Sequence, residues 1–262
     1  MPLWMTSPKK QAKLRALRRW VRVQSEELCL DIGHGSGAVH RQLAAAGGAW
    51  FCTTVTACDE DRGTRPGDWV SLLAGSRDLP FVSQCFDTIC AVDALEHLED
   101  DEAFVRELHR TLQNRGLLYV TVPRVDGSLL LRNWHVRRDL ARNHHRHVRE
   151  GYTETEIRVL LERFGFRVLF TQTFSGLFTE ILDGICCVLL RRLLGRRARA
   201  GVPRWATDLR AHPMASVLYC LAQPFLVALR GLDAMFPGQS YGLLVAAQKM
   251  QKRQVRATLK RY

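Results

Sequence analysis

The stretch Leu28-Cys29-Leu30-Asp31-Ile32-Gly33-His34-Gly35-Ser36-Gly37 constrains this chain more than any other. An apolar run that reads as a buried strand ends in a carboxylate, and glycines follow at alternate positions. Glycine lets the backbone turn tightly and approach a ligand closely. Ala38 to Ala46 reads as a helix, so the loop sits at a helix N-terminus, where backbone N–H groups and the helix dipole receive ligands. The unit predicts one strand–loop–helix crossover of an α/β sheet with a nucleotide cofactor at its turn. A purely structural turn is the plain alternative.

Two cofactors compete for that loop. Gly33-x-Gly35-x-x-Ala38 fits the dinucleotide fingerprint, and Asp59 stands where a ribose-binding acid is expected. The dinucleotide loop must receive a pyrophosphate, and Asp31, two residues before the first glycine, would repel it. A carboxylate there suits a ligand with a cationic amino group, such as the methionine part of S-adenosylmethionine. Asp31 moves the reading toward that cofactor without closing the other.

With 262 residues the chain is long enough for one large α/β domain with a small addition. Its formal net charge of +12 favours an anionic partner: nucleic acid, a phospholipid surface or a phosphorylated substrate. A solvated basic surface is the bland reading of the same charge. The eight cysteines form no CxxC pair, so neither a zinc site nor a disulfide framework is expected, and no metal is assigned. Cys29, Cys85 and Cys90 stand in apolar strand-like contexts, as small buried residues of a reducing, cytoplasmic compartment do. The first helix candidate, Pro8 to Val23, has no secretory apolar core. Leu14, Leu17 and Val21 make its apolar stripe, and its basic residues are expected in solvent.

Further along, strands and helices alternate. Thr53–Cys58, Val70–Leu73, Phe86–Val92, Leu117–Val122, Phe166–Thr173 and Tyr241–Ala247 read as strands. Asp101–Leu112 and Thr153–Phe164 read as helices; Thr153-x-x-Glu156 is a capping box. Asn114-Arg115-Gly116 should end the first of them. With the opening strand this gives a Rossmann-like, mostly parallel seven-stranded sheet covered by helices on both faces. Residues 1–24 form a basic amphipathic helix, 25–175 the core, 176–237 an apolar and Arg-rich helical insertion, and 238–262 the last strand with a basic tail. Within the insertion, Leu177–Leu194 reads as an apolar helix broken by Glu180 and Asp183. Ala211–Leu229 has no charged residue, near the length of a membrane span, but Pro224 interrupts it.

The segments LCLDIGHGSG (28–37), DLPFVSQCFDTICAVDALEHLED (78–100), FVRELHRTLQNRGLLYVTVPR (104–124), HVREGYTETEIRVLLERFGF (147–166) and YGLLVAAQK (241–249) occur in that order. Together they resemble the class I S-adenosylmethionine-dependent methyltransferases of the small-domain type related to ubiquinone and menaquinone methyltransferases. The resemblance covers the first two-thirds of the chain and the last strand. It implies that Asp31 helps fix the methionine end of the cofactor, with Gly33, Gly35 and Gly37 forming the loop beneath it. It implies that Asp59 accepts bonds from the ribose hydroxyls, that Asp93 and Ala94 lie beside the methyl group, and that His97 lines the site. The structural alternatives are a loop acid at Asp59, a helix cap at Asp93 and a local hydrogen bond at His97. Asp78 and the Gly75-Ser76 pair leave the adenine contact unassigned, because the family's acid usually precedes LPF by several residues.

Methyl transfer from a sulfonium is an in-line displacement, in which the protein holds nucleophile and methyl group in near-attack geometry. A hydroxyl acceptor also needs a base. His135, His144, His145 and His147 cluster with Arg137, Arg138, Arg142, Arg146 and Arg149 after the fifth strand. That cluster reads as a basic wall facing an anionic substrate, or as a solvated loop. His147 is the candidate base, since the family has a recurrent His before the Tyr152 helix. AVDALEH after the fourth strand lacks the Pro-Pro-aromatic turn of amino-directed nucleic-acid methyltransferases, and no Pro-Cys nucleophile is present. The expectation is O- or C-methylation of a small-molecule or lipid-linked acceptor, with the insertion as a peripheral membrane face. An RNA-acting methyltransferase using the basic surface, and a non-catalytic interaction module, are the alternatives.

Overall fold

A computed structural model of the chain describes residues 7–33, 38–54, 71–73, 77–126, 148–193, 227–228, 231–236 and 238–251. Seven strands form one sheet: β1 (Leu28–Gly33), β2 (Ala49–Thr54), β3 (Ser71–Leu73), β4 (Phe86–Val92), β5 (Leu112–Pro123), β6 (Phe166–Gly176) and β7 (Ser240–Lys249). They lie side by side as β3-β2-β1-β4-β5-β7-β6. β1 to β5 pair in parallel, and β7 enters antiparallel between β5 and β6. The described helices are α1 (Pro8–Trp20), α2 (Ala38–Ala44), α3 (Asp101–Thr111), α4 (Glu154–Arg163) and α5 (Leu177–Leu193).

Side chains alternate across a strand, and the two faces of the sheet build two apolar layers. Ile89 and Ala91 of β4 join Leu30, Ile32, Leu118, Val120 and Val245 under Phe104 and Leu108 of α3 and Ile157 and Leu161 of α4. Cys90 and Val92 join Tyr119, Leu244 and Ala246 under Ala16 and Leu17 of α1 and Leu43 of α2. Leu14, Leu17 and Val21 are all buried, so the apolar stripe expected on the first helix packs as read.

The helix ends follow local chemistry. Asp100 accepts a bond from Ala103 N at 2.9 Å, and Asp101 and Glu102 sit in the first turn of α3, where the dipole favours acids. α4 carries both halves of the expected capping box: Glu156 N donates to Thr153 Oγ1 at 3.1 Å, and Thr153 N donates to Glu156 Oε2 at 2.7 Å. Thr153→Ala is expected to lower stability by about 1 kcal/mol, with Thr153→Ser near wild type. Urea denaturation measures both, and an unchanged midpoint for the alanine variant would remove the box from the account.

Three expectations shift. β2 begins at Ala49, because Trp50 and Phe51, only partly covered, enter the sheet before the buried end Cys52–Thr54. Asn114-Arg115-Gly116 lies inside β5 rather than closing α3; Arg115 takes φ +65° and the β4–β5 register shifts between Phe86 and Thr88, so the triplet is a bulge. Glu180 and Asp183 do not break α5. They are 0% and 2% exposed, and partners on the N-terminal segment receive them. Ala211–Leu229 lies outside the described residues apart from 227–228. No helix among the described residues is long and apolar enough to cross a membrane.

Candidate active site

Open α/β sheets bind ligands at the carboxyl ends of their strands, where the strand order reverses. Here that point lies between β1 and β4, and Gly33 pairs with Val92 across it. A Cβ on Gly33 would sit 3.6 Å from Val92 O, an ordinary contact, so the sheet does not itself demand glycine there. Gly35, Gly37, His34, Asp59 and His147 fall outside the described residues, as do His135, His144 and His145.

Asp31 projects from the end of β1 toward the α1–α2 side and is 4% exposed. Burial alone pushes its carboxyl up to about 7. Among the described residues its Oδ1 finds no hydrogen-bond partner. Cys52 is its register partner on β2, and His40 of α2 covers both, its Nδ1 3.8 Å from Asp31 Oδ2. That distance is too long for a hydrogen bond. Burial, with Arg41 nearby, pushes the His40 imidazole down to about 4, so it offers the carboxylate no charge at neutral pH. An ionised Asp31 at the base of the loop is therefore built for a cation. The ammonium of an amino-acid moiety fits it, and a pyrophosphate does not.

β4 ends at Val92, and Asp93 follows in the left-handed region at φ +48°. Its backbone N donates to Thr121 O and Thr121 Oγ1 at 3.0 and 3.2 Å, and Thr121 Oγ1 donates to Asp93 Oδ1 at 3.0 Å. Asp93 thus caps no helix. Its other oxygen receives the Lys13 ammonium of α1. Ala94 is fully buried and starts a tight turn, Leu95–His97. His97 is half-buried and its N donates to Ala94 O at 3.2 Å. Glu96 between them is 1% exposed, with no hydrogen-bond partner for Oε2 among the described residues. Burial pushes its carboxyl up to about 7, opposed by a backbone N–H and by Lys13 and Lys9.

The segment before α4 closes over this turn. Val148 N and Arg149 N donate to Glu96 O at 3.0 and 3.4 Å, and Tyr152 N donates to Pro123 O at 2.9 Å. Asp101 receives both Arg149 (2.7 Å) and the Tyr152 hydroxyl (2.8 Å). Of the basic wall expected here, Arg149 is the described member, and it is tied to Asp101 rather than open to a substrate.

The structure thus brings Asp31, Gly33, Asp93, Ala94 and His97 to the carboxyl ends of two neighbouring central strands. The expectation that the basic residues of α1 stay in solvent fails at Lys13, which is 8% exposed. One signal was present: Lys13 adjoins Leu14 and precedes Leu17 by one helical turn, on the apolar stripe. His40, Glu96 and Thr121 also went unread, because the groups they meet lie on other elements of the fold.

Residues 30–120 match a family described as a methyltransferase domain. The match is to the general domain and does not single out the quinone type. No curated protein sequence matches the chain significantly. Among solved structures, the chain is similar to a cyclopropane synthase from Mycobacterium tuberculosis, with TM-score 0.56 and 18% identity over 92% of this chain and 84% of that one. It is similar to phosphoethanolamine N-methyltransferase 2 of Haemonchus contortus in complex with S-adenosyl-L-methionine: TM-score 0.55, 14% identity, 91% of this chain and 52% of that one. The cyclase SpnF is comparable, with TM-score 0.55, 17% identity, and coverage of 91% and 80%. At such identities the likeness shows the fold, and these relatives run different reactions on it.

Proposed function

We propose that this chain, whose residues 30–120 form a methyltransferase domain on the class I fold, uses S-adenosylmethionine to methylate a small-molecule or lipid-linked acceptor on oxygen or carbon. The observation that carries the cofactor is Asp31, a buried carboxylate at the switch point of the sheet with one oxygen unmatched among the described residues. Bound there, the cofactor supplies an electrophilic methyl group on a sulfonium. The protein's part is to hold its amino-acid end at Asp31, to present the methyl group near Asp93 and Ala94, and to keep water out. Glycine at 33, 35 and 37 and the acid at Asp59 suit the roles of loop and ribose partner; His97 suits the lining of the cofactor site, and His147 the acceptor side. Calorimetry of the full chain with S-adenosylmethionine and with NAD tests the cofactor: micromolar binding of the first and none of the second is expected. NAD binding alone would sink the proposal.

A peripheral membrane role rests on the insertion. Ile181, Ile185, Val227, Leu232, Met235 and Phe236 are exposed. The Phe178 and Phe236 rings stand 6.0 Å apart, so the two ends of the insertion meet. Exposed apolar side chains on an Arg-rich segment suit the acyl–headgroup boundary of an anionic membrane. The same reading keeps the protein on the cytoplasmic face, where cysteines stay reduced. Flotation with phosphatidylglycerol vesicles should recover the wild type and lose the Met235→Glu/Phe236→Glu variant; equal recovery would end the membrane reading.

A further inference from the structure

Lys13 is one of the groups at this site that lie outside the matched domain, and the one that comes from before it. It stands on α1, outside residues 30–120, and reaches across 80 positions of sequence to Asp93. A lysine is rarely this buried unless paired. Asp93 is itself fixed by Thr121 on two atoms, so the amine is held at one place: the carboxyl end of β4, beside Ala94. Lys9 and Lys10 lie on its own helix, Asp93 follows β4, Glu96 lies in the next turn, and Glu180 comes from α5, 3.6 Å from Lys9 Nζ. Burial, with repulsion from Lys9 and Lys10, pulls the ammonium down to about 7, while Glu96 and Glu180 pull the other way.

We propose that Lys13 is the base of the methyl transfer and that the acceptor is a hydroxyl. This rests on the methyltransferase reading. The acceptor oxygen forms its bond to the methyl carbon as the carbon–sulfur bond breaks, and that bonding pair stays on sulfur as a neutral thioether. The hydroxyl proton passes to the free amine of Lys13. The resulting ammonium is held by Asp93 and releases its proton to solvent before the next turnover. A hydroxyl is the acceptor that needs such a base, since its proton must leave as the new bond forms. A lysine that only anchored α1 to the sheet would do none of this, and the two roles separate by experiment.

The probes are S-adenosylmethionine, which carries a sulfonium charge, and S-adenosylhomocysteine, which does not. Their affinities are measured by calorimetry on the full chain from pH 6 to pH 8, and their ratio cancels the contribution of Asp31, which meets the same amino-acid end in both. If Lys13 lies at the methyl group, its ammonium repels the sulfonium. The preference for S-adenosylmethionine then rises about tenfold as the amine loses its proton, the size expected of like charges within roughly 4–6 Å. Lys13→Met should flatten the ratio at its high-pH value. Lys13→Arg keeps the pair with Asp93 and cannot lose its charge, so it should flatten the ratio at its low-pH value and covers the case in which the methionine variant does not fold. Glu96→Gln removes the other group that titrates near 7, and the rise should persist, moved to lower pH. A flat wild-type ratio, or a rise that survives Lys13→Arg or vanishes in Glu96→Gln, overturns the proposal. Binding of neither probe overturns the methyltransferase reading itself.

Discussion

Asp31→Asn is expected to cost at least about a hundredfold in affinity for S-adenosylmethionine while making the ligand-free protein more stable at pH 8. The two effects share one cause. Asp31 is buried with one oxygen unmatched among the described residues, and burial raises its carboxyl to about 7. Its folded value lies above its unfolded value, so the native state holds the proton more tightly. Stability from this group is complete below pH 4 and falls as pH rises toward 7, by up to about 4 kcal/mol for a shift of this size. Asparagine never ionises, so the variant should melt at the wild-type temperature near pH 4 and above it at pH 8. A cation that pairs with the carboxylate offsets that cost on binding, and losing a charge-assisted partner of this kind accounts for the affinity. Thermal melts at the two pH values and calorimetry at pH 8 check both halves. Full binding by Asp31→Asn would remove Asp31 from the cofactor site.

Gly151→Ala is expected to destabilise the fold by about 3 kcal/mol or more, a fall in melting temperature of about 6–12 °C. Gly151 has φ +145°, and a Cβ there would lie 2.3 Å from Pro123 O and 2.8 Å from Pro123 C. Those are backbone atoms at the end of β5 and cannot swing aside. The alanine would push out the strap that ties the Glu96 turn, through Val148 and Arg149, to Pro123 through Tyr152. The site should loosen with the fold, so affinity for S-adenosylhomocysteine should fall as well. A wild-type melting temperature would mean the strap is adaptable rather than pinned.

The legible parts of this molecule were those governed by neighbours in sequence. Phe86–Val92 was read with its true bounds because both faces of a central parallel strand are apolar. The capping box at Thr153 was legible because its two bonds span three residues. The strand that carries Asp31 was legible because an apolar run leads into it. Lys13, Glu180 and Asp183 were misread because their meaning lies in partners far along the chain. In isolation a lysine on a basic helix belongs in water, and acids in an apolar helix look like breaks. Only packing α1 against β4 and α5 turns them into one buried ionic cluster. β5 was read short because the bulge at Arg115 hides strand residues behind a Gly-containing turn signal.

The position of β7 has a consequence for how the protein is made. Residues 240–249 are inserted between β5 and β6, so the strand that completes the sheet is synthesised last among the described strands. Until it emerges from the ribosome, β5 presents an open hydrogen-bonding edge and β6 has no sheet to join. Pairing across more than a hundred residues is slow, and open edges recruit other chains. The nascent protein must therefore wait, half-assembled, for those ten residues, and it is in that interval that a holding chaperone would matter most.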